Sequence, residues 1–224
     1  MRSGAEMATL QSPLKDVLKR SGAHMAEREG WVVAADFGSL AGEIAVSRAT
    51  AGLADVSSIG KFAVRDTAPT IADIHPSGRD PRPGRALEAA DAWWCVISRE
   101  ELLVLTSPLS TDRLRLELNE RAHEGTHVEE VTAERAAVCL TGPFARDVLT
   151  RAGATGAGMG RLRVESIGGV PTLVLHQYER QWLLVAAASE AGSLWHALTE
   201  AGSPLGLAYV GADALHHLHA AAGA

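Results

Sequence analysis

Apolar residues recur at helical spacing after Ser12-Pro13, at Leu14, Val17 and Leu18, which predicts a helix capped by Ser12, opened by Pro13 and ended by Gly22. A second helix is expected from a Ser39 cap through Leu40, Ile44 and Val46, with Gly52 as its terminator. Between them, 31–35 is a short apolar stretch, and 53–61 reads as a turn or loop leading into a strand at 62–64. Residues 66–90 hold Pro69, Pro76, Pro81 and Pro83 with Gly78 and Gly84, a composition that predicts an irregular, mobile surface loop.

Further on, the pattern predicts strands at 92–97 and 101–106 around a tight turn, then an amphipathic helix carrying Leu114, Leu118 and Ala122. Strands at 126–132 and 135–140 precede a helix that opens at Gly142-Pro143. The glycine-rich run 153–160 follows a helix and precedes a strand, whereas a dinucleotide loop needs strand, glycines, then helix, so it reads as a connector. Strands at 161–167, 170–177 and 181–187, a Gly168-Gly169 hairpin, a helix over 189–202, a short strand and a helix over 212–221 complete the chain. Leu102-Leu103-Val104 with Leu114, Leu118 and Glu120 recurs as Leu183-Leu184-Val185 with Leu194, Leu198 and Glu200, 80 or 81 residues later. Two related strand-strand-helix units imply an α+β fold of pseudo-duplicated antiparallel sheets covered by helices.

Composition narrows the function classes. The 224 residues suffice for a large core, and a formal net charge of −6 lacks the basic footprint of a nucleic-acid binder. No apolar run approaches membrane-spanning length, and the first ten residues lack a signal-type apolar stretch, so a cytoplasmic, membrane-free protein is expected. Cys95 and Cys139 each sit in an apolar run and read as inert core thiols. Asp213 and His217 share a helical face, with His216 and His219 nearby, but no motif places a third ligand, so no metal site is assigned. The histidines suit a helix C-terminus.

Six segments in order then carry a resemblance: Ser12-Pro13-Leu14, Gly22-Ala23-His24-Met25, Gly30-Trp31, Phe37-Gly38-Ser39-Leu40, Glu43-Ile44-Ala45-Val46, and Ala51-Gly52-Leu53-Ala54-Asp55-Val56-Ser57-Ser58-Ile59-Gly60. With Gly142-Pro143-Phe144-Ala145, Gly169-Val170-Pro171 and Val210-Gly211 downstream, the sequence resembles the folate-binding aminomethyltransferase family, whose type member is the T-protein of the glycine cleavage system. The resemblance spans roughly residues 12–223. It implies a T-protein-like fold without the C-terminal barrel domain, in which the chain is similar in extent to the gamma subunit of sarcosine oxidase. Residues 1–60 with 142–224 are expected to form one folate-binding subdomain and 61–141 the second.

By the same resemblance, the expected cofactor is tetrahydrofolate and the expected reaction is one-carbon transfer from a small amine donor. Asp55, Val56, Ser57, Ser58 and Ile59 are expected to line the folate site with Tyr178; Ser58 and Ile59 stand where the family has histidine and methionine. Leu183 falls where the family carries the glutamate that grips the pterin edge, and Gln181, on the same strand face, is the expected substitute through its amide. Asp91 is the candidate for the catalytic carboxylate, one residue beyond the family's Asp-Asp position, which here reads Ala89-Ala90. A second polypeptide or a second copy is expected to cover the face that the barrel domain covers in the family. The alternative is a non-catalytic interaction subunit that kept the fold and lost the cofactor. The iron–sulfur-assembly branch is disfavoured, because no Lys-Gly-Cys-Tyr-x-Gly-Gln-Glu motif is present.

Overall fold

The computed structural model of the chain describes residues 9–77 and 81–222, the side chains of 68–70 and 219–222 excepted. Strands β1 (Leu10–Gln11), β2 (His24–Arg28) and β3 (Trp31–Asp36) form a small sheet in the order β1-β3-β2, with helix α1 (Lys15–Arg20) between β1 and β2. Helix α2 (Leu40–Ala49) follows, capped as expected by Ser39, whose Oγ accepts from the Gly42 N–H at 3.1 Å. The chain then enters β4 (Ala51–Asp55).

A five-stranded sheet comes next. It takes β5 (Gly60–Arg65), helix α3 (Ala68–Ile74), the meander β6 (Ala86–Ala89), β7 (Ala92–Val96) and β8 (Glu101–Thr106), helix α4 (Thr111–Arg121) and β9 (His127–Glu130), in the spatial order β6-β7-β8-β5-β9. The plan then repeats: β10 (Arg135–Thr141), α5 (Ala145–Arg151), the meander β11 (Arg161–Ile167), β12 (Val170–Tyr178) and β13 (Gln181–Ala187), α6 (Ala191–Gly202) and β14 (Leu207–Tyr209). The second sheet runs β11-β12-β13-β10-β4-β14, so it repeats the first with β4 inserted before the last strand. Helix α7 (Ala212–Ala222) ends the described chain. The internal repeat seen in the sequence is therefore a repeat of topology, and the fold is α+β with helices on the outer sheet faces. No helix among the described residues is long and apolar enough to cross a membrane.

Among the described residues, three apolar layers hold the large sheets and their helices together, and a smaller one packs α7 against β4 and β10 through Ala54, Cys139, Ala214 and Leu215. One lies between the six-stranded sheet and its helices, where Leu194, Trp195 and Leu198 of α6 meet Val174 and Leu184. Their spacing puts one face of α6 on the sheet, and each fully buried leucine contributes about 2 kcal/mol. A second lies between the five-stranded sheet and α3 and α4, through Ile71, Ile74, Leu114 and Leu118. The third is sheet on sheet: Cys95, Leu105, Leu175, Leu183 and Val185 fill the space between the inner faces. The sheets also touch by backbone, with Arg85 and Arg161 forming an antiparallel bridge at the starts of β6 and β11.

Several local expectations are corrected. The stretch 66–90 is not one irregular loop, since it holds α3 and β6; Gly78 lies outside the described residues. Pro69 sits in the first turn of α3, where a missing N–H breaks nothing, and Pro76 follows its end. Gly52 does not terminate α2, because Thr50 caps it and Gly52 is inside β4, facing Ser47 and Val210 too closely for any side chain. Pro13 precedes α1 rather than opening it. β10 pairs with β13 and β4 within the six-stranded sheet.

Candidate functional site

A cavity of about 1040 Å³ opens where the two large sheets, α2 and α7 converge. Its floor is apolar: Val56 and Ile59 come from the 56–59 passage between β4 and β5, Leu105 from β8, and Leu183 from β13. Trp93 of β7 and Tyr178 at the end of β12 form an aromatic wall, their rings edge to face at 5.8 Å. Tyr178 Oη donates to Glu88 Oε1 of β6 at 2.6 Å. Burial, reinforced by the bond to Glu88 and by its charge, pushes the Tyr178 hydroxyl up to about 12, so it is a donor at neutral pH.

The β12–β13 turn supplies most of the polar lining. A register shift between His176 and Tyr178 interrupts the ladder, and this bulge turns both Gln177 and Tyr178 into the cavity wall. Gln181 is 8% exposed, and its Nε2 donates to Gln177 Oε1 at 3.2 Å, so two amides stand side by side next to Leu183. Trp182, between them in sequence, points to the opposite face and stacks on His176 at 4.2 Å. Arg48 and Arg180 add positive charge to the lining, and Glu88, Glu179 and Asp91 add negative charge.

Gly142, also in the lining, has φ +111°, and a Cβ there would stand 2.5 Å from the Ser47 carbonyl oxygen and 2.6 Å from that of Thr50. Only glycine fits this position. The Gly142 N–H donates to Arg180 O at 2.9 Å, which ties the start of the α5 segment to the polar turn. Cys139 lines the cavity too, but burial pushes its thiol up to about 12 and leaves it inert at neutral pH. Cys95 is raised further by burial in the layer between the sheets.

Of the residues singled out in the sequence, the fold gathers Val56, Ile59, Asp91, Tyr178 and Gln181 around this cavity. Asp55, Ser57 and Ser58 are not in its lining. The Asp55 carboxylate is turned inward, where Oδ1 accepts from the Ser57 N–H at 3.0 Å and hydroxyl at 2.6 Å, and burial raises its pKa against the effect of those bonds and of Ser12. Ser57 Oγ in turn accepts from the Ala137 N–H at 3.1 Å, so the pair fastens β4 to β10 behind the cavity wall.

Asp91 sits on the two-residue turn joining β6 and β7, where Ala90 and Asp91 have φ of +51° and +61°. Three donors hold this strained turn: Arg113 Nη2 to Ala90 O at 2.8 Å, Thr106 Oγ1 to Asp91 O at 3.0 Å, and Trp94 Nε1 to Ala89 O at 3.3 Å. The Asp91 side chain is 80% exposed, with Arg113 Nη2 3.4 Å from Oδ2. Sequence reasoning does not name Trp93, Gln177 or Lys61 as site residues, and expects Trp93 at a core or interface position. Trp93 alternates with buried Trp94 on β7, a signal that was present in the pattern. His216 and His217 are exposed on α7, the side chain of His219 falls outside the described residues, and no group of three metal-ligating side chains is assembled among the described residues.

The family described as the GCVT N-terminal domain matches residues 85–224. The chain belongs to that family. Among relatives of this GCVT-domain protein, the aminomethyltransferase of Geobacillus thermodenitrificans is 29% identical over 219 residues, covering 88% of this chain and 60% of the relative. That of Symbiobacterium thermophilum is 29% identical over 228 residues, with 88% and 60% covered. The GCVT-domain chain thus spans about 60% of the length of these aminomethyltransferases. In fold it is similar to the glycine cleavage system aminomethyltransferase T of Bartonella henselae, with a TM-score of 0.76 at 19% identity over 92% of this chain and 60% of that one. It is also similar to a chain of the heterotetrameric sarcosine oxidase of Corynebacterium sp. U-96, with a TM-score of 0.60 at 20% identity over 89% of this chain and 97% of that one.

Proposed function

We propose that this chain binds tetrahydrofolate in the cavity between its two large sheets and takes part in the transfer of a one-carbon unit from a small amine donor. The observation that carries the reading is that Val56 and Ile59 of the 56–59 passage and Tyr178 of β12, which match the family's folate-contacting segments, line one cavity although they are more than a hundred residues apart. The volume suits a ligand of that size, and the lining suits its parts. Trp93 and Tyr178 offer ring faces and edges to a flat heterocycle, Arg48 and Arg180 offer cations to carboxylates, and Val56, Ile59, Leu105 and Leu183 exclude water.

Leu183 departs from the family pattern, and the Gln177–Gln181 amides beside it supply a neutral donor and acceptor in place of a carboxylate. The bound folate would supply the amine nitrogens that accept the one-carbon unit. Asp91 is the acid we assign to steadying positive charge on the donor, held at the rim by Arg113. Quenching of Trp93 fluorescence by tetrahydrofolate at micromolar concentration is expected. Absence of quenching at millimolar ligand refutes the reading and leaves a fold-retaining interaction subunit, the alternative that Leu183 in the cavity wall favours.

A second polypeptide or a second copy is also proposed as a partner. The sarcosine oxidase that shares this fold is a heterotetramer, and Met159 and Val164 stand 67% and 63% exposed beside the β11 edge. Light scattering of the purified chain, with recovery of bound protein from its native extract, tests it; a monomer that recovers nothing overturns it.

A further inference from the structure

The backbone crosses between the two large sheets at two places, outward along 56–59 from β4 to β5 and back along 131–134 from β9 to β10. Both crossings meet at one side chain. Lys61 of β5 is 0% exposed, and its Nζ donates to the carbonyls of Ser57 at 2.8 Å and Ile59 at 3.0 Å on the outward crossing. The same nitrogen lies 3.3 Å from the Thr132 carbonyl on the return, and the Lys61 backbone N–H donates to Thr132 Oγ1 at 3.0 Å. An ammonium has three protons, so these three carbonyls use its donor capacity in full.

The charged groups that face it are Asp55 of β4 and Glu130 of β9, while β8 places Leu105 opposite in register. A charge taken wholly out of water is expensive, and a chain that needed only to fill this space would be better served by a methionine. What the ammonium does that no apolar side chain can do is hold carbonyls from both crossings at one point. The outward crossing is also the one whose Val56 and Ile59 form the cavity floor.

We propose that Lys61 is a positioning residue for ligand binding, pinning the two crossings together and so setting the cavity floor against a bound molecule. The inference rests on the reading of the cavity as a ligand site. Replacing the ammonium with an apolar side chain of similar length removes all three donors, so the carbonyls of both crossings lose their common partner. Burial brings the Lys61 pKa down to about 8, so at pH 7 the ammonium is still the main form.

The test is backbone amide exchange of the full chain, read by mass spectrometry, alongside tetrahydrofolate affinity from tryptophan fluorescence. In Lys61→Met both crossings are expected to exchange about tenfold faster while the sheet interiors keep their protection, tenfold being the worth of one hydrogen bond to a charged group. Affinity at pH 7 is expected to be weaker by about tenfold in Lys61→Met and restored in part in Lys61→Arg, which keeps the charge and its donors. Unchanged exchange at both crossings in a folded Lys61→Met overturns the proposal.

If that variant does not fold, Lys61→Gln, which keeps a neutral amide donor, decides at pH 7. Faster exchange confined to the two crossings supports the pin, and unchanged exchange removes it. Failure of wild-type tetrahydrofolate binding with faster exchange in the variant rejects the ligand reading and Lys61's role in it, whereas normal binding with unchanged exchange rejects Lys61 alone.

Discussion

Tyr178 and Glu88 meet at 2.6 Å across the mouth of the cavity, a hydroxyl from the six-stranded sheet donating to a carboxylate from the five-stranded one. The bond fixes the tyrosine ring edge to face against Trp93, so the aromatic wall depends on both sheets at once. Tyr178→Ala is expected to weaken tetrahydrofolate by ~1–3 kcal/mol, the range for losing aromatic contact with a base-like ring. Tyr178→Phe keeps the ring and loses only the tie, so its effect should stay near ~1 kcal/mol. Fluorescence titration of the two variants separates them, and equal losses would mean that the hydroxyl, not the ring, carries the contact.

Asp91→Asn is expected to slow one-carbon transfer by less than about a hundredfold, at the low end for a proton-transferring residue. Its side chain is largely in water and shares its charge with Arg113 at the cavity rim. A loss of a thousandfold or more in single-turnover transfer to tetrahydrofolate would assign it a central part in the chemistry.

Glu43 is 6% exposed and accepts from the Phe37 N–H at 2.6 Å and the Gly211 N–H at 2.8 Å, joining the β3–α2 turn to the start of α7. Glu43→Ala leaves both buried donors without an acceptor and should destabilise the chain by about 3 kcal/mol in urea unfolding. Glu43→Gln retains one acceptor and should lose less.

At Gly142 the obstacle is backbone rather than a side chain that could swing aside. Gly142→Ala must move the end of α2 or the start of the α5 segment, and is expected to lose roughly 3–5 kcal/mol. An unfolding midpoint unchanged from wild type would contradict the close packing at this corner of the cavity.

Stability should respond to pH through Lys61 with a definite sign. Its pKa is about 8 folded and 10.5 as the free side chain, so between those values the unfolded chain holds more protons and stability rises with pH. The gain is about 3 kcal/mol, complete above 10.5 and lost as pH falls through 8. Cys95 and Cys139, both raised by burial, pull the opposite way above about pH 9. The difference in unfolding free energy between wild type and Lys61→Met isolates the lysine. If that difference stays constant from pH 7 to 10, the ammonium is not buried as described.

Elements with strong periodicity were legible in the sequence. Leu194, Leu198 and the Ser39 cap announce α6 and α2, and the 80-residue echo of Leu102-Leu103-Val104 announces the duplicated topology. β2 was missed because His24–Arg28 is half polar and lies on a small sheet with little to bury. α3 was missed because prolines outside the helix interior count as breakers in a composition reading.

At the site, a motif could nominate Val56, Ile59 and Tyr178, because local spacing carries them. It placed Asp55 and Ser57 in the same group, and only the fold separates the residues that face the cavity from those that fasten it from behind. Lys61 was invisible for a related reason. Its Thr132 contact spans 71 residues, and a lysine at the start of a strand otherwise reads as solvated.

The Arg85–Arg161 bridge has a bearing on how the chain behaves outside its native state. β6 and β11 are outer strands of their sheets, and the bridge makes them shield each other, with Ala86 N–H donating to Gly160 O at 2.9 Å and Leu162 N–H to Gly84 O at 3.1 Å. The first residues of each edge are therefore paired across the duplication, and the two sheets are joined by backbone as well as by apolar packing. A fragment holding one half alone would leave the start of that edge unpaired as a template for other chains, so the halves protect this point from self-association as well as enclosing a cavity.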